Sequence, residues 1–233
     1  MRLDKYLSDA AVCSRSDAAK AARAGKITVD GERVTSAAVH IDPESAEVTY
    51  FGKKVEWKEF SYIMLNKPKG YVSSTEEGGR TVMDLLPPEC KKKKMFPCGR
   101  LDVDTTGLLL ITNDGERAHR LLSPARHVEK TYAFTCSLPI GEDEKEALEA
   151  GVDIGAHVTS RAKVALDTPI SGRITITEGK FHQIKRMFHA VGSEIVELER
   201  VSFGPLTLDP SLGRGEYRDL TEDEEKSLID AAK

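Results

Sequence analysis

Residues 99–115 read Gly99-Arg100-Leu101-Asp102-Val103-Asp104-Thr105-Thr106-Gly107-Leu108-Leu109-Leu110-Ile111-Thr112-Asn113-Asp114-Gly115. The run Gly107-Leu108-Leu109-Leu110-Ile111-Thr112 is apolar and of strand length, as a strand buried on both faces requires. Asn113-Asp114-Gly115 ends it with a turn signal. Arg100, Asp102, Asp104, Thr105 and Thr106 crowd charge and hydroxyls into the loop before it. A loop held by a rigid strand can fix a reactive group in place. Asp102 is the candidate group, with Arg100 supplying positive charge two residues away. The same residues also describe an ordinary turn whose side chains satisfy backbone N–H groups.

Downstream, Asp114 can cap a helix over residues 116–122, which Pro124 prevents from continuing. Residues 127–135 alternate as a strand. Residues 142–150 form an acidic helix, and residues 152–164 and 174–177 read as further strands. From His182, helical spacing turns Ile184, Met187 and Phe188 inward and ends at Gly192. Residues 195–201 are another strand, and Thr221 with Glu224 forms a capping box for a terminal helix. Upstream, Tyr62-Ile63-Met64-Leu65 is a buried-strand candidate broken by Asn66-Lys67-Pro68-Lys69-Gly70. Residues 72–80 read as a mobile polar loop and residues 81–86 as a short helix stopped by Pro87-Pro88. Residues 91–94 are four lysines that could guide an anionic partner toward Asp102.

Residues 1–57 read as a separate small module. Leu3, Tyr6 and Leu7 share a helical face. Ser14 or Ser16 caps a second helix that stops at Gly25. Asp30-Gly31 joins Ile27-Thr28-Val29 to Glu32-Arg33-Val34 as a hairpin, and residues 48–50 add a strand. Residues 53–61 lack periodicity and are expected to be a linker, with Trp57, the single tryptophan, packing the two modules together. Residues 58–233 form the second domain.

The 233 residues, 39% hydrophobic and 31% charged, describe a soluble globular chain with a real core. No stretch approaches a membrane span, and the first residues lack a signal-peptide core, so a cytoplasmic location is expected. Cys13, Cys90, Cys98 and Cys136 show no metal-binding spacing and are expected to be reduced thiols. The net charge of −4 is unevenly spread. Residues 216–233 hold seven acids and three bases, and residues 141–153 hold six acids and one base, so the remainder is +5. An acidic chain can therefore still present a basic face to phosphate.

Gly99-Arg100-Leu101-Asp102, Thr105 and Gly107-Leu108-Leu109-Leu110 resemble the G-R-L-D-x-x-T-x-G-L-L motif of pseudouridine synthases. Asn66-Lys67-Pro68-x-Gly70, Lys130-Thr131-Tyr132 and Gly179-x-x-His182-Gln183-Ile184-Lys185-Arg186-Met187 match three further elements of that family. Arg2-Leu3-Asp4-Lys5, Ser14-Arg15-Ser16 and Gly25-x-Ile27-x-Val29-Asp30-Gly31 resemble the S4 RNA-binding module. The combination and order are closest to the small-subunit ribosomal RNA branch of the family.

The resemblance implies an α+β fold: a small S4-like module, then a mixed, mainly antiparallel sheet with packed helices. It implies that Asp102 is the catalytic carboxylate, that Lys185 pairs with it, and that Tyr132 stacks on the target uracil. The family more often has arginine at the position of Lys185. It further implies RNA contacts from Arg2, Lys5, Arg15, Lys20, Arg23 and Lys26 in the first module, where each side chain is equally an ordinary surface charge. In the second module the implied contacts are Lys67, Arg100, Lys130, His182, Gln183 and Arg186. The implied reaction converts one uridine of 16S ribosomal RNA, of the uridine 516 type, to pseudouridine, with no cofactor and no metal. Expected partners are 16S ribosomal RNA or the assembling small ribosomal subunit, and no membrane; a monomer is expected. A large-subunit ribosomal RNA synthase and a non-catalytic S4-type ribosome-assembly factor remain the alternatives.

Overall fold

A computed structural model describes every residue except Glu77, Gly78 and Ala156. The chain divides into two compact units, Met1–Ser61 with Pro87–Met95, and Tyr62–Leu86 with Phe96–Lys233.

In the first unit, α1 (Leu3–Asp9) and α2 (Arg15–Arg23) pack on a sheet of β1 (Ile27–Val29), β2 (Glu32–Arg33), β3 (Val48–Tyr50) and β4 (Lys53–Lys54), in the order β2-β1-β3-β4. Leu3, Tyr6, Leu7, Ala18, Ala22, Ile27 and Val48 form its core. The Ser14 hydroxyl accepts the Asp17 backbone N–H at 3.1 Å, satisfying one orphan donor of α2. Lys53 and Lys54, expected in a linker, instead form an edge strand beside β3. Exposed lysines suit a sheet edge and carry no apolar alternation that would announce one. The Trp57 ring, expected to join the modules, stacks on Tyr6 inside this unit, with ring centroids 5.8 Å apart. Pro88 opens α3 (Pro88–Lys92) rather than ending a helix, because the first turn needs no proline N–H. The lysine run therefore ends a helix of this unit, and Lys93 donates to the Ser61 hydroxyl at 3.2 Å.

The second unit is built on β5 (Tyr62–Lys67), β6 (Phe96–Pro97), β7 (Thr106–Thr112), β8 (Lys130–Cys136), β9 (Lys163–Thr168), β10 (Ser171–Ile176), β11 (Ile195–Phe203), β12 (Leu206–Thr207) and β13 (Tyr217–Asp219). The sheet order is β13-β5-β7-β11-β8-β10-β9, with β6 added to β7 and β12 to β11. Helices α4 (Gly115–Leu122), α5 (Glu142–Ala150), α6 (Gln183–Ala190) and α7 (Glu222–Ala231) complete it. This is the mixed, mainly antiparallel α+β architecture expected. One parallel seam, Thr106–Gly107 against Glu199–Arg200, joins two antiparallel halves. Gly107 is required there. Its φ is +98°, and a Cβ would lie 2.3 Å from the Arg200 carbonyl oxygen.

Strand β5 continues through Asn66 and Lys67, where a break was expected, and all six of its residues are buried. The expected strand over residues 152–164 reduces to a bridge between Asp153 and Val158, and regular pairing starts only at Lys163. Ala156, inside that stretch, lies outside the described residues, as do Glu77 and Gly78 of the loop expected to be mobile. The ends of that loop are tied: Val72 N–H donates to the Arg80 carbonyl at 2.8 Å, and Val82 N–H to the Val72 carbonyl at 3.0 Å. The helix expected over residues 81–86 is a 3-10 turn, Val82–Leu85, with a Thr81–Asp84 capping box. Cys98 and Cys136 are buried free thiols, Cys13 is half-buried and free, and Cys90 is buried. Burial pushes the Cys98 thiol up to about 12. Among the described residues, no helix is long and apolar enough to cross a membrane.

Candidate active site

The loop from Leu101 to Thr105 is held from inside by Lys67. Its Nζ donates to the backbone carbonyls of Pro68 (3.1 Å), Asp102 (2.9 Å), Val103 (3.2 Å) and Thr105 (2.9 Å). The Lys67 side chain is fully buried, and burial lowers its pKa to about 8. Lys67, expected as an RNA-backbone contact, is buried beneath the loop with its ammonium engaged by these carbonyls. Buried Ser73 grips the same loop: its hydroxyl donates to the Leu101 carbonyl at 3.0 Å and accepts the Leu101 N–H at 3.1 Å. Gly70 N–H donates to the Val103 carbonyl at 2.8 Å. The loop's backbone oxygens are thus turned toward Lys67, while the Asp102 side chain remains about a quarter exposed.

Helix α6 delivers the cation. Lys185 Nζ lies 3.3 Å from Asp102 Oδ2 and 2.6 Å from Asp104 Oδ1. Burial opposes the Lys185 charge, but the two carboxylates outweigh it and the pKa is raised. The Lys185 hydrogen bond holds the Asp104 carboxyl below its usual value. Asp104 was missed as a site residue; alone in sequence it is an unremarkable loop acid. His182, the N-cap residue of α6, has a left-handed backbone (φ 50°, ψ 35°). Its Nε2 is 3.6 Å from Asp102 Oδ1. Tyr132 is buried on β8 and lines the same pocket, about 90 Å³, as Asp102, Lys185, His182 and Arg100. Thr105 lines it too, and its buried hydroxyl has no hydrogen-bond partner among the described residues. A larger hollow of about 360 Å³, lined by Lys69, Thr106, Thr135, Glu199 and Arg214, contains neither Asp102 nor Lys185. The smaller one is where acid, cation and aromatic ring meet.

Three other expected RNA contacts are engaged inside the fold. Lys130 is buried and donates to the Val128 and Thr177 carbonyls at 2.9 and 3.4 Å, with Nζ 5.8 Å from the Phe203 ring centroid. Gln183 is buried, donating to Glu178 Oε1 and accepting the Lys180 N–H, both at 2.9 Å. Arg186 is half-buried and donates to the Ile154 carbonyl. These groups, like Lys67, saturate backbone and side-chain partners that burial would otherwise leave unsatisfied. Arg100 and His182 remain exposed at the pocket mouth. In the first unit all six candidate cations are exposed. Arg2 is paired with Asp4, Lys5 with Asp9 and Lys20 with Asp17, whereas Arg15, Arg23 and Lys26 carry no ion pair among the described residues.

Burial lowers the Lys130 pKa from 10.5 to about 8. The unfolded chain then binds this proton more tightly than the folded one. The destabilisation is complete below pH 8 and fades as the pH rises toward 10.5. Lys130→Met should remove this slope. In urea unfolding, the wild-type stability minus that of the variant should increase between pH 8 and 10.5; a flat difference would refute the assignment.

An α+β sheet with an aspartate on the loop entering strand β7, faced by a helix-borne cation and a strand tyrosine, points to the class. The chain belongs to the RNA pseudouridylate synthase family, whose profile matches residues 61–190, and it carries an S4 domain over residues 1–46. It is similar to ribosomal small subunit pseudouridine synthase A of Escherichia coli (strain K12), 43% identical over 232 residues, 98% of this chain and all of that one. An uncharacterized RNA pseudouridine synthase, YtzG, of Bacillus subtilis (strain 168) is 47% identical over 96% of each chain. A crystal structure of a pseudouridylate synthase superposes with a TM-score of 0.69 at 39% identity, covering 98% of this chain and 99% of the other.

Proposed function

We propose that this protein converts one uridine of 16S ribosomal RNA, of the uridine 516 type, to pseudouridine in the cytoplasm. It would act as a monomer. The observation that carries the reading is the Asp102 carboxylate 3.3 Å from the Lys185 ammonium, in a pocket walled by Tyr132. The similarity to small-subunit synthases over essentially their whole length supports the choice of RNA.

The reaction breaks the bond between C1′ and N1, turns the freed uracil, and rejoins it through C5. The C5 proton is released as the new bond forms and N1 takes up a proton, so substrate and product are isomers and no oxidant or energy source enters. Asp102 acts as a nucleophile at C1′ or as a base at C2′. Lys185 is its counter-charge, itself steadied by Asp104. Tyr132 holds the detached base by stacking. The target leaves its stack to reach the pocket, at a cost of a few kcal/mol that pocket contacts offset.

Mapping pseudouridine in both ribosomal RNAs with and without the gene tests the reading. Loss of one 16S site is the expected result. Loss of a 23S site would assign the large subunit, and loss of none would leave an RNA-binding factor. The first unit should grip RNA through phosphate. Arg23→Gln with Lys26→Gln should weaken binding and make log affinity fall less steeply with log salt, by about 1.5 in slope. An unchanged slope would remove these residues from the interface.

A further inference from the structure

We propose that Phe181, backed by His182, is a stacking platform for an unpaired nucleobase flanking the target uridine; this rests on the RNA-modifying function proposed above. Phe181 is 77% exposed, more than any other large apolar side chain described. It is not simply an idle surface residue. Its ring lies on the His182 imidazole, with centroids 3.8 Å apart and planes within 18°. Consecutive side chains diverge in a strand and in a helix. Here the left-handed backbone of His182 brings two neighbours face to face. That conformation is strained for a non-glycine residue and persists where the surroundings hold it.

Position supplies the occupant. His182 Nε2 is 3.6 Å from the Asp102 carboxylate, so the stack stands at the edge of the reaction pocket. Lys180 and Arg100 are exposed at the same mouth and give it positive charge suited to a phosphodiester chain. When a uridine leaves its stack, the adjacent base loses a neighbour. A flat, exposed ring beside the pocket offers that base a replacement face, and any base can use it.

The test uses the full-length protein and transcripts containing the mapped target, with 2-aminopurine at each flanking position in turn. Wild type should quench 2-aminopurine on one side. Phe181→Ala should lose the quenching and about tenfold in kcat/KM, mainly through KM. Phe181→Trp should restore both, and Phe181→Leu should restore neither. An abasic residue at the quenched position should make wild type and Phe181→Ala equal. The proposal is overturned if wild type quenches neither side, if Phe181→Ala retains kcat/KM, or if Phe181→Leu matches phenylalanine. The last result would indicate a plain apolar contact, as to a protein. Quenching is read without turnover, so absence of pseudouridine formation by wild type would overturn the functional reading and leave the platform separately measurable.

Discussion

Asp102→Asn should lower pseudouridine formation at least about 10⁴-fold while leaving RNA binding within about threefold. The substitution keeps the shape of the side chain and removes the carboxylate proposed to attack C1′ or take a proton from C2′. Loss of a principal catalytic group commonly costs this much or more. The fold should survive. The Asp102 side chain lies near the surface, where an ion pair contributes at most about 1 kcal/mol. Lys185 also keeps its closer partner, Asp104 at 2.6 Å. The measurements are tritium release from C5-labelled RNA and filter retention of the same RNA. Residual activity within tenfold of wild type would remove Asp102 from the chemistry. Lost binding in a folded variant would contradict the separation of binding from catalysis.

Lys67→Met is expected to be the most damaging substitution outside the reacting groups. It removes the donor shared by the carbonyls of Pro68, Asp102, Val103 and Thr105; Asp102 still accepts the Thr105 N–H at 3.1 Å and Val103 the Gly70 N–H at 2.8 Å, so the loss falls on Pro68 and Thr105. Unsatisfied buried acceptors cost about 1–3 kcal/mol each, with relaxation reducing the sum. A total of about 3–5 kcal/mol corresponds to a Tm lowered by roughly 10 °C for a chain of this size. Activity should fall further than stability explains, by about 100-fold at a temperature where the variant is folded, because a displacement near 1 Å can cost that much. Calorimetry and single-turnover kinetics measure the two effects. An unchanged Tm together with an unchanged rate would show that the loop holds its shape without this ammonium.

The two substitutions also mark what sequence reading could reach. Strand β7, α4 with its Asp114 cap and α6 were legible because each has an apolar pattern bounded by a cap or turn. The Asp102–Lys185 pairing came from the family resemblance, and the folded chain brings the two groups to 3.3 Å. The burial of Lys67 and Lys130 was not legible in the sequence, for one shared reason. A lysine near a strand end is usually at the surface, and nothing local shows that distant carbonyls will surround it. Asn66 and Lys67 were read as a strand break on the same logic, although β5 buries both. Asp104 was hidden because its importance depends on a helix far along the chain. Lys53 and Lys54 show the opposite case, a strand defined only by the edge it completes.

The parallel seam has a consequence for how activity is gained and lost. Asp102 enters with β7, on one side of the two-residue junction, whereas Tyr132 on β8 and Lys185 on α6 belong to the other. Across it, Arg200 Nε holds the Leu108 carbonyl at 2.7 Å, although the two lie 92 positions apart in the chain. Each antiparallel portion supplies only part of the candidate site, so turnover should report closure of this narrow junction more sensitively than overall secondary structure does.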